Sequence, residues 1–268
     1  MVIGLDSFQR WFQGFENQYV VIGGTACDLL MAEEGMDFRA TKDIDLVLIV
    51  EAITPEFVIR FWEYIKLGDY HNWVESSGKP QFYRFTHPKH ADFPHMIELF
   101  TRHMETILLP EHAVLTPLPV NEDISSLSAI LLDDDYFELL RSGRTAVGGV
   151  TVLDAGFLIL FKAKAWLDLT KRKVNGETVD SKNIRKHKKD VFRLSELLGK
   201  NTEILVPIPV YQDFQSFISA MWQEDTDTKQ LGLTRTRDEI LKILQNVYIA
   251  EGRQRGREKI DNPPFPML

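Results

Sequence analysis

The sequence predicts an α/β (α+β) protein: a small mixed-sheet domain over residues 1–125, followed by a β-hairpin and a helical C-terminal domain over 126–268. Three observations predict it. Short apolar runs, "YVVI" (19–22) and "IDLVLIV" (44–50), are interleaved with segments of helical spacing. Gly23 and Gly24 stand between the first run and a helix. Beyond Asp154 the strand signals give way to helical patterns.

Taken in order, Phe8, Trp11, Phe12 and Phe15 recur at helical spacing within residues 6–16. "YVVI" is a short strand, Gly23-Gly24 the turn after it, and 26–34 a helix. Residues 44–50 form the next strand, and 55–68 a helix with Pro55 in its first turn. "QFYRFTH" (81–87) and "HMIELFT" (95–101) alternate as strands. "AVLTPLPV" (113–120) is an edge segment, because its prolines cannot donate to a ladder. "LLDDDYF" (131–137) reads as a helix start, with acids that favour the dipole. "RTAVGGVTVL" (144–153) is the hairpin, and helices follow at 155–170, 182–198, 210–223 and 234–251. A polar loop at 170–181 turns on Asn175-Gly176.

Composition narrows the function. A chain of 268 residues, 44% hydrophobic, can bury a core of one large or two modest domains. A net charge of −8 argues against a wholly basic nucleic-acid binder, so no DNA partner is expected and any nucleic-acid contact must use a local patch. The lone Cys27 rules out an internal disulfide and a cysteine-rich zinc site; it reads as a small buried hydrophobe. The N-terminus lacks a signal-peptide pattern, and "AGFLILFKAKAWL" is too short and too charged to span a bilayer. The expectation is a cytoplasmic protein with no membrane partner.

The chemistry is carried by acids and glycines. Side chains alternate along a strand, so Asp43 and Asp45 share a face, with Ile44 opposed to them. Glu98 lies between Ile97 and Leu99 in a later strand, where an acid needs a partner: a core arginine such as Arg84, or a metal. Three carboxylates on neighbouring strands make an oxygen-rich site suited to Mg²⁺, and the cation offsets their repulsion. Gly23, Gly24 and the Thr25 hydroxyl, at a helix start, could hold the phosphates of a nucleotide. Taken singly, a Gly-Gly is more often a turn and an Asp-x-Asp a solvated strand end. Their order along one chain is more specific.

That order, "IGGTA" (22–26) and then "DIDL" (43–46), resembles the nucleotidyltransferase superfamily that includes DNA polymerase β. Its pattern is a hydrophobic residue, Gly, then Gly or Ser, followed by an Asp-hydrophobic-Asp/Glu-hydrophobic element. Within it, "FRATKDIDLVL" (38–48) is similar to the AbiEii-like abortive-infection group of toxin nucleotidyltransferases. In that group a helix lysine and a later basic-Asp segment follow. The matching elements are "LILFKAKAWLDL" (158–169), with Lys162 or Lys164, and "KHKKDVFRLSELL" (186–198), with Asp190. Arg193 stands where a second aspartate is common, and the 171–181 loop is longer than usual.

The resemblance implies transfer of a nucleoside monophosphate from an NTP to an acceptor hydroxyl, with release of pyrophosphate. Asp43, Asp45 and Glu98 would hold two Mg²⁺ ions, Mn²⁺ being the alternative. Gly23, Gly24, Thr25 and Lys42 would bind nucleotide, and Lys162, Lys164 and Asp190 would complete the catalytic set. It points to tRNA as acceptor and to an antitoxin as a further partner. A non-catalytic nucleotide sensor, or transfer to a small molecule such as an antibiotic, are the alternatives.

Other features have plain readings. "HPKHADFPH" (87–95) carries His87, His90 and His95 at irregular spacing and reads as a solvated loop rather than a zinc site. Lys162 and Lys164 either snorkel to the surface or contact phosphate. From Lys162 to Arg193 there are eleven Lys/Arg against four Asp/Glu. Such a run is usually a solvated helix face, but it is also where a polyanionic acceptor would be held.

Overall fold

A seven-stranded mixed sheet organises the chain. The computed structural model describes residues 3–38, 43–49, 52–74, 81–101, 130–199 and 201–252. The expected edge segment 113–120 and Lys42 lie outside these residues.

The chain enters through α1 (Leu5–Trp11), which ends before Gly14, a left-handed residue with φ 90°. That turn stops the helix short of the expected residue 16. Next come β1 (Tyr19–Ile22), α2 (Gly23–Glu33), β2 (Asp43–Leu48) and α3 (Pro55–Leu67). Thr54 caps α3, its hydroxyl accepting from the Phe57 N–H at 3.3 Å, and Pro55 occupies the first turn, where no donor is needed. Strands β3 (His71–Val74), β4 (Gln81–Thr86) and β5 (Met96–Thr101) complete this half. β3 was not expected from "HNWV", which has too little alternation to signal a strand. It forms by pairing antiparallel with β4.

The sheet runs β3-β4-β5-β2-β1, then β7 (Val150–Leu153) and β6 (Arg144–Val147). β2 pairs antiparallel with β1 and parallel with β5, while β7 adds parallel to β1. The hairpin after residue 126 therefore extends the first half's sheet. Register fixes the faces. Ile44, Leu46, Ile97 and Leu99 share one face with Tyr19 and Phe85. There the aromatic rings of α1 and α3 pack: Phe12 touches Phe8, Tyr19, Phe57, Phe61 and Tyr64, and Phe61 touches Phe85. The opposite face carries Asp43, Asp45 and Glu98.

Beyond α4 (Asp134–Ser142) and the hairpin, the helical part consists of α5 (Ala155–Val174), α6 (Ser181–Leu194), α7 (Ile208–Gln223) and α8 (Arg237–Val247). Asp133, Asp154 and Asp180 cap α4, α5 and α6 by accepting from backbone N–H groups of the first turn. The expected helix 234–251 ends at Val247. Its last residues become β9 (Tyr248–Ala250), parallel to β8 (Ile204–Val206). Tyr248 is anchored there, its hydroxyl donating to the Gly156 carbonyl at 2.6 Å and its ring 4.3 Å from that of Phe214. Buried side chains of the sheet and the helices form one continuous apolar core.

Candidate functional site

The site is built on a single cross-strand row. Register places Arg84 of β4 opposite Glu98 of β5, Glu98 beside Asp45 of β2, and Asp45 beside Ile22 of β1. Directly paired residues project to the same face. Three strands thus deliver a guanidinium and two carboxylates to one line. Asp43, two residues before Asp45, joins them on that face, paired in register with Met96.

Gly23 closes the row at the other end. The helix begins at Gly23 itself rather than at residue 26, so the glycines are its first turn. Gly23 has φ 73°, and a Cβ there would lie 1.7 Å from Asp45 Oδ2 and 2.7 Å from its Cγ. Any side chain would displace the carboxylate. The α2 N-terminus therefore comes down directly on Asp45. No side chain caps it, and no acid lies in its first turn. Backbone donors that favour an anion are thus set beside carboxylates that favour a cation. Gly24 is buried. Thr25, expected to offer its hydroxyl to a phosphate, is fully buried and donates it to the backbone carbonyl of Asp43. It ties β2 to α2 instead.

Charge is concentrated where solvent is scarce. Glu98 is pushed up to about 8, first by burial and then by the Asp45 carboxylate within hydrogen-bonding reach, with Arg84 opposing. Asp43 is raised by burial and by Glu98, against the pull of His95, Lys186 and Arg84. The Arg84 Nε donates to Glu98 Oε1 at 2.7 Å, and its Nη2 contacts the same oxygen. The donor chemistry, three carboxylates from adjacent strands, fits a hard divalent cation. In this arrangement Glu98 is held by Arg84, and among the described residues no three acidic, histidine or cysteine side chains converge tightly enough to ligate an ion.

The two expected lysines each face a carboxylate of the helical part. Lys162 is buried, its Nζ 3.0 Å from Asp190 Oδ2, and Asp190 is fully buried. These two residues form an ion pair between α5 and α6. Lys164 is held by other acids: its Nζ lies 2.9 Å from Asp213 Oδ2 and 3.7 Å from Asp168 Oδ1, over the Tyr136 ring at 5.9 Å. Neither lysine snorkels freely to water, because a half-buried ammonium is cheaper to keep when a carboxylate faces it.

Two neighbours of the acids escaped the sequence reading. Lys186, grouped there with the acceptor-binding run, bears on Asp43. His95 of the supposed solvated loop does so too, because it precedes Met96, the register partner of Asp43. His95 is exposed, its ring 5.8 Å from that of His87. Strand register brings His95 near Asp43, and helix packing brings Lys186 within electrostatic range of it.

No protein-family model matches the chain, and no curated protein matches it. Among solved structures it is similar to an antigenic nucleotidyltransferase-like protein from Paracoccidioides brasiliensis, at 15% identity over 86% of this chain and 85% of that one, with a TM-score of 0.43. A likeness of that degree does not bear on chemistry. Among the described residues no helix is long and apolar enough to cross a membrane.

Two outcomes follow from these charges. Glu98 holds its proton more tightly in the folded than in the unfolded protein, so the folded state binds more protons between the ordinary carboxylate range and about pH 8. Stability in EDTA should therefore fall as pH rises through that window. Urea midpoints should show the decline in the native protein and a flatter profile in Glu98→Gln; equal profiles would exclude this account. Separately, Lys162→Met should take the ammonium away from the buried Asp190 and cost about 3–5 kcal/mol, whereas Lys162→Met with Asp190→Leu should recover most of that loss. Additive losses in the double variant, measured by urea unfolding, would show that the two side chains do not act as a pair.

Proposed function

We propose that this protein is a metal-dependent nucleotidyltransferase, moving a nucleoside monophosphate from an NTP to an acceptor hydroxyl with release of pyrophosphate. The observation that carries the reading is the contact at Gly23: an uncapped helix N-terminus seated on the Asp45 carboxylate. A metal–nucleotide complex needs both halves of that arrangement, anion donors and hard oxygen ligands, within one short span. The motif order "IGGTA" then "DIDL", with its superfamily resemblance, agrees with it.

Asp43, Asp45 and Glu98 would hold Mg²⁺, or Mn²⁺ in its place. Bound there, the metal would offset charge on the triphosphate and lower the pKa of the acceptor hydroxyl. The chain's own groups do the rest. The α2 N-terminus orients phosphate through its backbone donors. Lys186, beside Asp43, is placed to neutralise phosphate charge, the role expected of Lys162 and Lys164. Glu98, whose carboxylate shares the row with Asp45, is the group proposed to take the proton of the acceptor hydroxyl.

The acceptor reading rests on α6. Lys182, Arg185 and Lys189 are exposed at i, i+3 and i+7, one ridge along the helix, and Lys186 beside them leads to Asp43. Lys188 is bound to Glu224 at 2.6 Å and leaves the set. A ridge of exposed cations beside a lysine that bears on Asp43 suits a polyanionic acceptor, and RNA such as tRNA is the one proposed. A toxin role and an antitoxin partner are carried by the "FRATKDIDLVL" resemblance alone, of which residues 39–42 lie outside the described residues. One observation favours a second reading: Arg84 already neutralises Glu98, as a nucleotide-binding module without chemistry would allow.

Asp45→Asn should abolish transfer of label from NTP in the presence of Mg²⁺ and leave the melting temperature unchanged or higher, because repulsion with Glu98 is relieved. Full transfer by this variant would sink the site assignment. For the acceptor, joint reversal of Lys182, Arg185 and Lys189 to Glu should weaken tRNA binding and flatten its log–log salt slope by about 2, given roughly 0.7 per contact to single strands. NTP affinity should stay near the native value. A native slope near zero in filter binding would exclude RNA as acceptor.

A further inference from the structure

Arg84 occupies an unusual position for an arginine. It stands in the same cross-strand row as the acids, on their face of the sheet, and both Nε and Nη2 meet a single oxygen of Glu98. Its side chain is 18% exposed and that of Glu98 11%. A guanidinium cannot be neutralised at any working pH. Two paired strands set its position, so it leaves Glu98 only if its side chain swings out. The positive charge nearest Glu98 is therefore part of the chain itself.

That charge has opposite effects on two ligands. A free divalent cation approaching Asp43, Asp45 and Glu98 meets a fixed cation on one of its three ligands and is repelled. The same cation bound to a triphosphate arrives with net negative charge, which Arg84 and Lys186 attract. We propose that Arg84 is a built-in counter-cation that makes the site select the metal–nucleotide complex over the free metal. Arg84 is here a positioning and specificity residue: it holds Glu98 in place when metal is absent and suppresses filling of the site by metal alone. The proposal rests on the metal-site reading above.

Mn²⁺ binding to the intact protein, followed by the electron paramagnetic resonance of free Mn²⁺, tests it without any turnover. Arg84→Met should bind free Mn²⁺ about tenfold or more tightly than the native chain, because the repelling charge is gone. Its affinity for Mn²⁺ with a non-hydrolysable ATP analogue should be equal or weaker, so that the preference for the complex shrinks. Arg84→Lys, which keeps the charge, should restore the native preference. Arg84→Gln is the second neutral variant, and far-UV circular dichroism identifies which variants are folded. If a folded neutral variant binds free Mn²⁺ no better than the native protein, while the native protein binds the Mn²⁺–nucleotide complex, the role of Arg84 is overturned and the metal site stands. If the native protein and the variants bind Mn²⁺ neither alone nor with nucleotide, the metal-site reading fails and takes this proposal with it.

Discussion

Three carboxylates on one face of a sheet repel one another, and much of the site is arranged around tolerating that repulsion. Asp45 and Glu98 are register neighbours on parallel strands, so the backbone ladder itself brings them together. Asp43 follows at the next same-face position. Burial removes the water that would screen them. The surroundings answer with Arg84 on Glu98, with Lys186 and His95 near Asp43, and with a glycine whose missing Cβ leaves room for the Asp45 carboxylate. An acid cluster is costly to a fold unless something cationic shares it. Here the cluster spans the start of β2 and the middle of β5, with Arg84 on its edge.

The helical part is locked by ion pairs of a different kind. Lys162 and Asp190 bind α5 to α6 in the core, while Lys164 and Asp213 bind α5 to α7 nearer the surface. Burying an ammonium with its carboxylate adds little net stability but penalises any packing that separates them. Here that penalty bears on the packing of α6 against α5. Lys186 lies one turn before Asp190 on the same helix and lowers the Asp43 carboxyl pKa electrostatically.

Much of the architecture was legible in local pattern. The strands at 19–22, 44–50, 81–87 and 95–101, the hairpin at 144–153 and the long helices all formed within a few residues of expectation, because period and turn residues are local signals. Differences arose where distant pairing overrode them. "HNWV" became a strand only against β4, and residues 248–250 left the helix only to pair with β8. Thr25 looked like a phosphate donor from its place after Gly-Gly. Its hydroxyl went instead to the Asp43 carbonyl, a partner 18 residues away that local spacing does not reveal.

What the sequence by itself determined was the chemistry present: which acids share a strand face, which glycines open a helix, and where basic residues crowd. These follow from alternation and propensity, which neighbouring residues settle among themselves. What only the tertiary structure decided was who faces whom. Arg84 meets Glu98 because two strands pair in one register rather than the next, and a slip of one residue would send the guanidinium to the other face. Lys162 meets Asp190, and Lys186 comes within electrostatic range of Asp43, because helices pack at particular positions along their length. A charged side chain takes its role from its partner, and that partner lies far away in the chain.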